Sequence, residues 1–486
     1  MNHAPDPESK PQAEHHGPGS HREGSLEPSR PGTGLAARRL DPVLLALSWV
    51  ILIIGVVLWS LKPSGTAEEA SPDEVPMGRL VDAQIEMSGR ISLGLSELLP
   101  GMSARTQVTP LMQGSAADQL SYVLFVAATA TPREGAEVLD EVVESNPVNP
   151  VIEDFAPLVR STLEAAEDGV SPSEETSRIL VERFGWYGRL ATAMADPERL
   201  REIERESRKS AFVLMLFVGV FTLTGLLGFI GLVLLIVLAV SNPVRIRFPF
   251  PIRHGVYAET FALWLLLMLF LQLIMAGIAV DGGELLMSII AFFASLGALV
   301  WPVIRGVPWS QVRTDIGLTA PHWSDIPTGV AAWGMALPIL AVGLIITLVL
   351  MLFQSTLMGD SASPSHPAQQ AVAGAGTSEI VQLFILACVA APVVEEIMFR
   401  GVFLTHLGGW SRKWPRLLSL AFAIGLSSFV FAAIHPQGFT FIPPLAGLAV
   451  GFCIARLWRG SLGPAMVAHG FSNGVVMTLN VLLFTS

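Results

Sequence analysis

Residues 391–401 read A-P-V-V-E-E-I-M-F-R-G, and the reading of this stretch decides how the rest of the chain folds. It closes a run, residues 380–394, that is apolar apart from Gln382. Glu395, Glu396 and Arg400 therefore stand where the chain has the character of a membrane span. A charged side chain near the centre of a bilayer costs about 2.5–3.5 kcal/mol on insertion scales. Such residues persist in a span when they pair with one another or carry chemistry. As a helix, the stretch puts Glu396 and Arg400 four apart on one face, with the acid first, the favourable order. Glu395 is rotated by about 100 degrees and lacks that partner. An unpaired carboxylate in such a setting is a candidate general base or acid. The plainer alternative is an ion-pair cluster that only holds helices together, and the stretch alone does not choose between them.

Composition agrees with the membrane reading. Of 486 residues, 51% are hydrophobic and 15% are charged. Soluble domains carry about 25% charged residues. The formal net charge of -11 is unevenly spread, with acids gathered over residues 68–206 and short basic clusters beside hydrophobic runs. No basic stripe interleaved with aromatics is present, so no nucleic-acid partner is expected. Cys388 and Cys453 both lie in apolar sequence, spaced for neither zinc nor a disulfide framework, and read as inert buried thiols.

The flanking regions divide cleanly. Residues 1–41 form a tail rich in Pro, Gly, Ser, His and Glu that is expected to be disordered. Its His15-His16 pair is read as solvated. No conventional signal peptide opens the chain, and residues 42–62 read as an uncleaved transmembrane anchor. Arg38 and Arg39 precede that anchor and acids follow it, which places the N-terminus in the cytoplasm by the positive-inside rule. Residues 63–209 are polar and read as a mainly helical extracytoplasmic domain with a possible protein partner. Thr131-Pro132, Ser171-Pro172 and Asp196-Pro197 look like helix starts there. Apolar residues recur at helical spacing over 120–143 and 179–194.

Hydrophobic segments resume at 211–240, 257–280, 285–303 and 326–353, the first within a transmembrane region spanning 210–355. They continue at 380–406, 417–434, 441–457 and 462–484. With the anchor this makes about nine spans. The expected fold is an all-α polytopic membrane bundle with a helical domain inserted after the first span. The basic residues of the loops test the alternation. Arg245, Arg247 and Arg253 share one loop, Arg305 and Arg313 another, Arg412, Lys413 and Arg416 a third, Arg456 and Arg459 a fourth. All four fall on the cytoplasmic side if the N-terminus is inside. A bacterial inner membrane is the expected location.

Two further polar intrusions accompany the glutamates. Phe431-Ala-Ala-Ile-His435 ends one span, with Pro436 after it, and His469-Gly-Phe-Ser-Asn473 opens the last. In each, the outer residues are four apart and share a helix face. Buried polar groups need partners, and convergence on one site satisfies all of them. E-E-x-x-x-R (Glu395, Glu396, Arg400), F-x-x-x-H (Phe431, His435) and H-x-x-x-N (His469, Asn473) resemble the three motifs of the CPBP intramembrane proteases. These are the CAAX-protease and bacteriocin-processing proteins, also called the Abi family. Order, spacing and placement on successive helices match at all these positions. The resemblance covers residues 378–484, a catalytic membrane domain of about a fifth of the chain.

The resemblance implies an endopeptidase that hydrolyses a peptide or membrane-protein substrate in or near the bilayer. It implies that Glu395 activates water with help from His435, and that His469 and Asn473 stabilise the oxyanion. Glu396 and Arg400 would support the base, with Phe431 beside them. No cofactor is required in this reading. Zinc is the possible exception, with His435, His469 and Glu395 as its ligands, although the H-E-x-x-H signature is absent. Two rivals remain open: a rhomboid-like serine protease using Ser427 and His469, and a non-catalytic scaffold, immunity protein or transporter using the same buried polar groups.

Overall fold

Helix is the regular structure that these apolar and amphipathic stretches form, and among the described residues of the computed structural model there is no strand. Those residues are 42–60, 81, 83–241, 247, 249, 251, 253–278, 283–358, 372, 375–435 and 437–484. The expectations for the tail, for its histidines, and for Pro436 lie outside them.

The anchor is α1 (Pro42–Ser60). A bundle follows: α2 (Ala83–Leu98), α3 (Ala104–Val108), α4 (Ala116–Thr129), α5 (Pro132–Ser145), α6 (Pro150–Glu167), α7 (Glu174–Phe184) and α8 (Trp186–Thr192). Local chemistry explains where these helices begin. Thr131 caps α5, accepting from the Glu134 amide ahead of Pro132. Asp196 caps the helix that follows α8 and starts at Pro197, accepting from the Glu198 amide at 3.0 Å. At 171–174 the expected start is displaced: Ser173 is the cap, accepting from the Thr176 amide, and the helix begins at Glu174. The stretch 179–194 is two helices rather than one. Gly185 takes φ +56 between α7 and α8, a conformation that a side chain disfavours.

The bundle has its own core, in which Phe125, Trp186 and Tyr187 pack edge to face or tilted. It is joined to the membrane helices by α9 (Pro197–Ser241), a 45-residue helix. Ile203 and Ser207 of α9 are buried with the bundle, while Leu223, Leu227 and Ile230 further along are exposed. A helix with that apolar exposure suits a lipid setting. One element thus spans what the sequence divides at residue 209.

The remaining elements are α10 (Gly255–Ile278), α11 (Glu284–Ile304), α12 (Trp309–Ile316), α13 (Asp325–Met358), α14 (Thr377–Trp410), α15 (Arg416–Ala433), α16 (Ile442–Arg459) and α17 (Gly463–Phe484). Eight described helices are long and apolar enough to cross a membrane, and the described apolar part of α1, Pro42–Val57, is shorter. The chain is a polytopic helical membrane protein. One apolar core joins Leu52 of α1 to Phe261 and Trp264 of α10 and to Phe399 and Phe403 of α14.

Candidate active site

Pro392 sets the local geometry of α14. Proline has no amide hydrogen and clashes with the carbonyl one turn earlier. The helix accommodates it by widening: residues Leu386–Ala390 form a π turn, with the Ala391 amide donating to Leu386 O. In that register the next carbonyl, Ala387 O, would take its hydrogen from residue 392, which has none. Asn473 of α17 supplies it instead, its Nδ2 donating to Ala387 O at 2.7 Å. Gly470 lets α17 come this close, since a Cβ there would stand 2.5 Å from Cys388 O. A second π turn, Ile397–Phe403, follows the single α turn Ala391–Glu396. The glutamates therefore sit between two widened turns rather than in a uniform helix. Such turns cluster at functional sites.

Glu396 and Arg400 form the expected pair. Arg400 Nη1 donates to Glu396 Oε1 at 2.8 Å, and both side chains are wholly buried. Arg400 Nε and Nη2 have no hydrogen-bond acceptor. The guanidinium lies instead over aromatic rings, 4.2 Å from the Phe431 centroid and 5.2 Å from that of Phe452. Desolvated cation–π contacts of this kind are worth about 2 kcal/mol. Phe452 also stacks on His469, with centroids 5.2 Å apart. Phe452 is a site residue that the sequence reading missed. One phenylalanine in an apolar helix carries no positional signal.

His469 Nδ1 lies 2.9 Å from Glu396 Oε1, which also accepts from Arg400. His435 Nδ1 lies 2.6 Å from Phe431 O. A carboxylate and a carbonyl only accept, so each imidazole holds its hydrogen on Nδ1 and turns the lone pair of Nε2 outward. Both Nε2 atoms face the same place. Glu395 Oε2 is 3.9 Å from that of His435 and 3.8 Å from that of His469. Glu395 keeps 16% of its side chain exposed where Glu396 keeps none. Its Oε2 is buried without a protein hydrogen-bond partner. Three acceptor atoms thus converge on one small volume, and a donor satisfies them: a proton on Glu395, or a water that donates to two of them. Glu395 and His435 also line an apolar cavity of about 250 Å³.

The structure brings Glu395, His435 and His469 together and places Glu396, Arg400 and Phe431 directly behind them. Asn473 is tied to α14 by one of its two N–H groups. Zinc stands about 2.0–2.2 Å from oxygen and imidazole ligands. Among the described residues no group of three or more His, Cys, Asp or Glu side chains is set to hold an ion. Ser427 is buried and directs its hydroxyl to Phe399 O at 3.5 Å, which commits the serine of the rhomboid-like alternative to the backbone.

Residues 377–475, the segment that carries all of these groups, match the family described as type II CAAX prenyl endopeptidase Rce1-like. This segment is similar to that family. The chain is also 32% identical over 94 residues to the membrane-embedded CAAX protease MroQ of Staphylococcus aureus (strain USA300). That match spans 19% of this chain and 37% of the length of the relative. No solved structure matches the chain. The helices α1–α13 lie outside the Rce1-like segment.

Proposed function

We propose that this protein is an intramembrane endopeptidase in which Glu395 activates the attacking water. The observation that carries the reading is the convergence of Glu395 Oε2 with two imidazole lone pairs at 3.8 and 3.9 Å. A water there donates one hydrogen to Glu395 and the other to His435 Nε2. Glu395 takes its proton as the water oxygen bonds to the scissile carbonyl carbon, and the carbonyl π electrons become an oxyanion. The second N–H of Asn473 is the donor for that oxyanion. His469, its Nδ1 hydrogen committed to Glu396, keeps its Nε2 lone pair beside the water as a second acceptor. The tetrahedral intermediate collapses, the C–N bond breaks, and Glu395 returns its proton to the leaving amine.

Arg400 and Phe452 hold Glu396 and His469 in place, and both are positioning residues. The substrate is a peptide or membrane protein held in the bilayer. The membrane is the bacterial inner membrane, with the N-terminus cytoplasmic, and the bundle α2–α8 recruits a protein partner outside it. The reaction needs no resident cofactor in this reading. A chelator titration of purified protein checks that point: activity that survives chelation agrees with it, and loss restored by zinc overturns it. The reading as a whole is tested by comparing the membrane proteomes of cells carrying the wild type and Glu395→Ala. Precursors that accumulate only with Glu395→Ala support the protease. A biological function that survives Glu395→Ala, with no precursor accumulating, supports a scaffold.

A further inference from the structure

The apolar cavity reaches well beyond the Rce1-like segment. Gly55 of α1, Trp264 and Met268 of α10 and Phe292 of α11 form much of its wall, and Glu395 and His435 line it as well. Gln272 is the remaining polar group in that lining. We infer that the cavity receives the apolar side chain of the substrate residue beside the scissile bond, and that Gly55 sets the largest side chain it accepts. The inference rests on the hydrolytic reading of the site and adds the basis of its specificity.

Three observations carry it. The lining is apolar except around the reacting groups, so it favours an apolar occupant and penalises a polar one that finds no partner. The occupant touches Glu395 and His435, so it must belong to the residue whose bond they attack. Its volume sets a scale: a cavity of about 150 Å³ takes benzene, and by proportion the space of 250 Å³ holds a group of about ten carbons. That is the size of a tryptophan side chain and short of a fifteen-carbon chain, and the four carbons of leucine fit within it.

The wall is also rigid. Trp264 Nε1 donates to Ser295 Oγ at 3.0 Å, and its ring meets Phe399 of α14 edge-on, with centroids 5.8 Å apart. Trp264 therefore cannot swing aside to admit a larger group without breaking those contacts. Gly55 is the position open to change. A Cβ there would come no nearer than 4.0 Å to Leu265 Cδ1, so a side chain enters without disturbing the contact of α1 with α10. It would take its space from the occupant.

The test uses full-length protein in phosphatidylcholine vesicles and hydrophobic peptides identical except for Ala, Leu or Trp before the cleaved bond. Wild type is expected to prefer Leu or Trp over Ala. Gly55→Leu should lower the ratio of kcat/KM for Trp over Ala by about 10- to 200-fold, the range for filling an apolar pocket. An unchanged ratio overturns the inference. Binding of 5-fluoroindole, followed by 19F NMR on detergent-solubilised protein, is independent of turnover. Wild type and Glu395→Gln should bind it, and Gly55→Leu should not. Equal binding by wild type and Gly55→Leu, or none by wild type, overturns the inference and leaves the hydrolytic reading standing. Cleavage of the peptides by Glu395→Gln at the wild-type rate, or of none of them by wild type, overturns the hydrolytic reading and this inference with it.

Discussion

Arg400 holds a full charge with no exposed surface, and three different groups make that tolerable: the Glu396 carboxylate and the faces of Phe431 and Phe452. Removing one partner of a buried pair leaves the other charge uncompensated, at a cost of about 3–5 kcal/mol. Glu396→Ala is therefore expected to lower the unfolding free energy of detergent-solubilised protein by that amount. A loss under 1 kcal/mol would mean that the pair is not desolvated. Phe452→Leu keeps an apolar side chain and removes the ring from both Arg400 and His469. It should cost about 1–2 kcal/mol and reduce kcat at nearly constant KM. The pairing of Glu396 with Arg400 was legible in the sequence because four-residue spacing on a helix is a local property. The contribution of Phe452 was not, because it depends on how α16 packs against α14.

At the scale of the element, Pro392 organises α14. It removes one amide hydrogen, a π turn absorbs the clash, and Asn473 serves the carbonyl left over. Asn473→Leu should strand Ala387 O and cost about 1–3 kcal/mol. In a Pro392→Ala background residue 392 regains its amide, so the same substitution should cost clearly less. A double-mutant cycle on unfolding free energies measures this as a coupling of about 0.5–3 kcal/mol, and strict additivity would contradict it. The membrane helices and the caps at Thr131 and Asp196 were legible, since hydropathy and capping chemistry are written locally. The π turns were not inferred, although Pro392 stood in the opening motif as their cause. Residue spacing alone describes residues 391–401 as one regular helix.

Across the whole molecule, the basic loops gather at one end. Arg247 Nη1 donates to Arg459 O at 3.2 Å, Arg253 Nη1 to Gly306 O at 3.2 Å, and His406 Nδ1 meets His254 O at 2.9 Å. These contacts bring residues from the neighbourhoods of all four basic loops together, as alternating spans require. Among the described residues, the core of the bundle α2–α8 draws on residues 81–203. A fragment spanning residues 81–210 is therefore expected to give a helical circular dichroism spectrum and a cooperative thermal transition. A non-cooperative melt would show that the bundle needs the membrane helices to fold. The sequence carries no signature of a role for it, because caps and a hydrophobic core serve any folded helical bundle.

The central claim is that Glu395 is the base of a peptide-bond hydrolysis. The most direct test incubates purified wild type or Glu395→Gln in vesicles made from membranes of cells that lack the protein. New peptide termini are then mapped by mass spectrometry. Wild type should generate termini in membrane-held proteins, and Glu395→Gln, matched to wild type in thermal stability, should generate none of them. The same termini appearing at the same rate with Glu395→Gln would contradict the account.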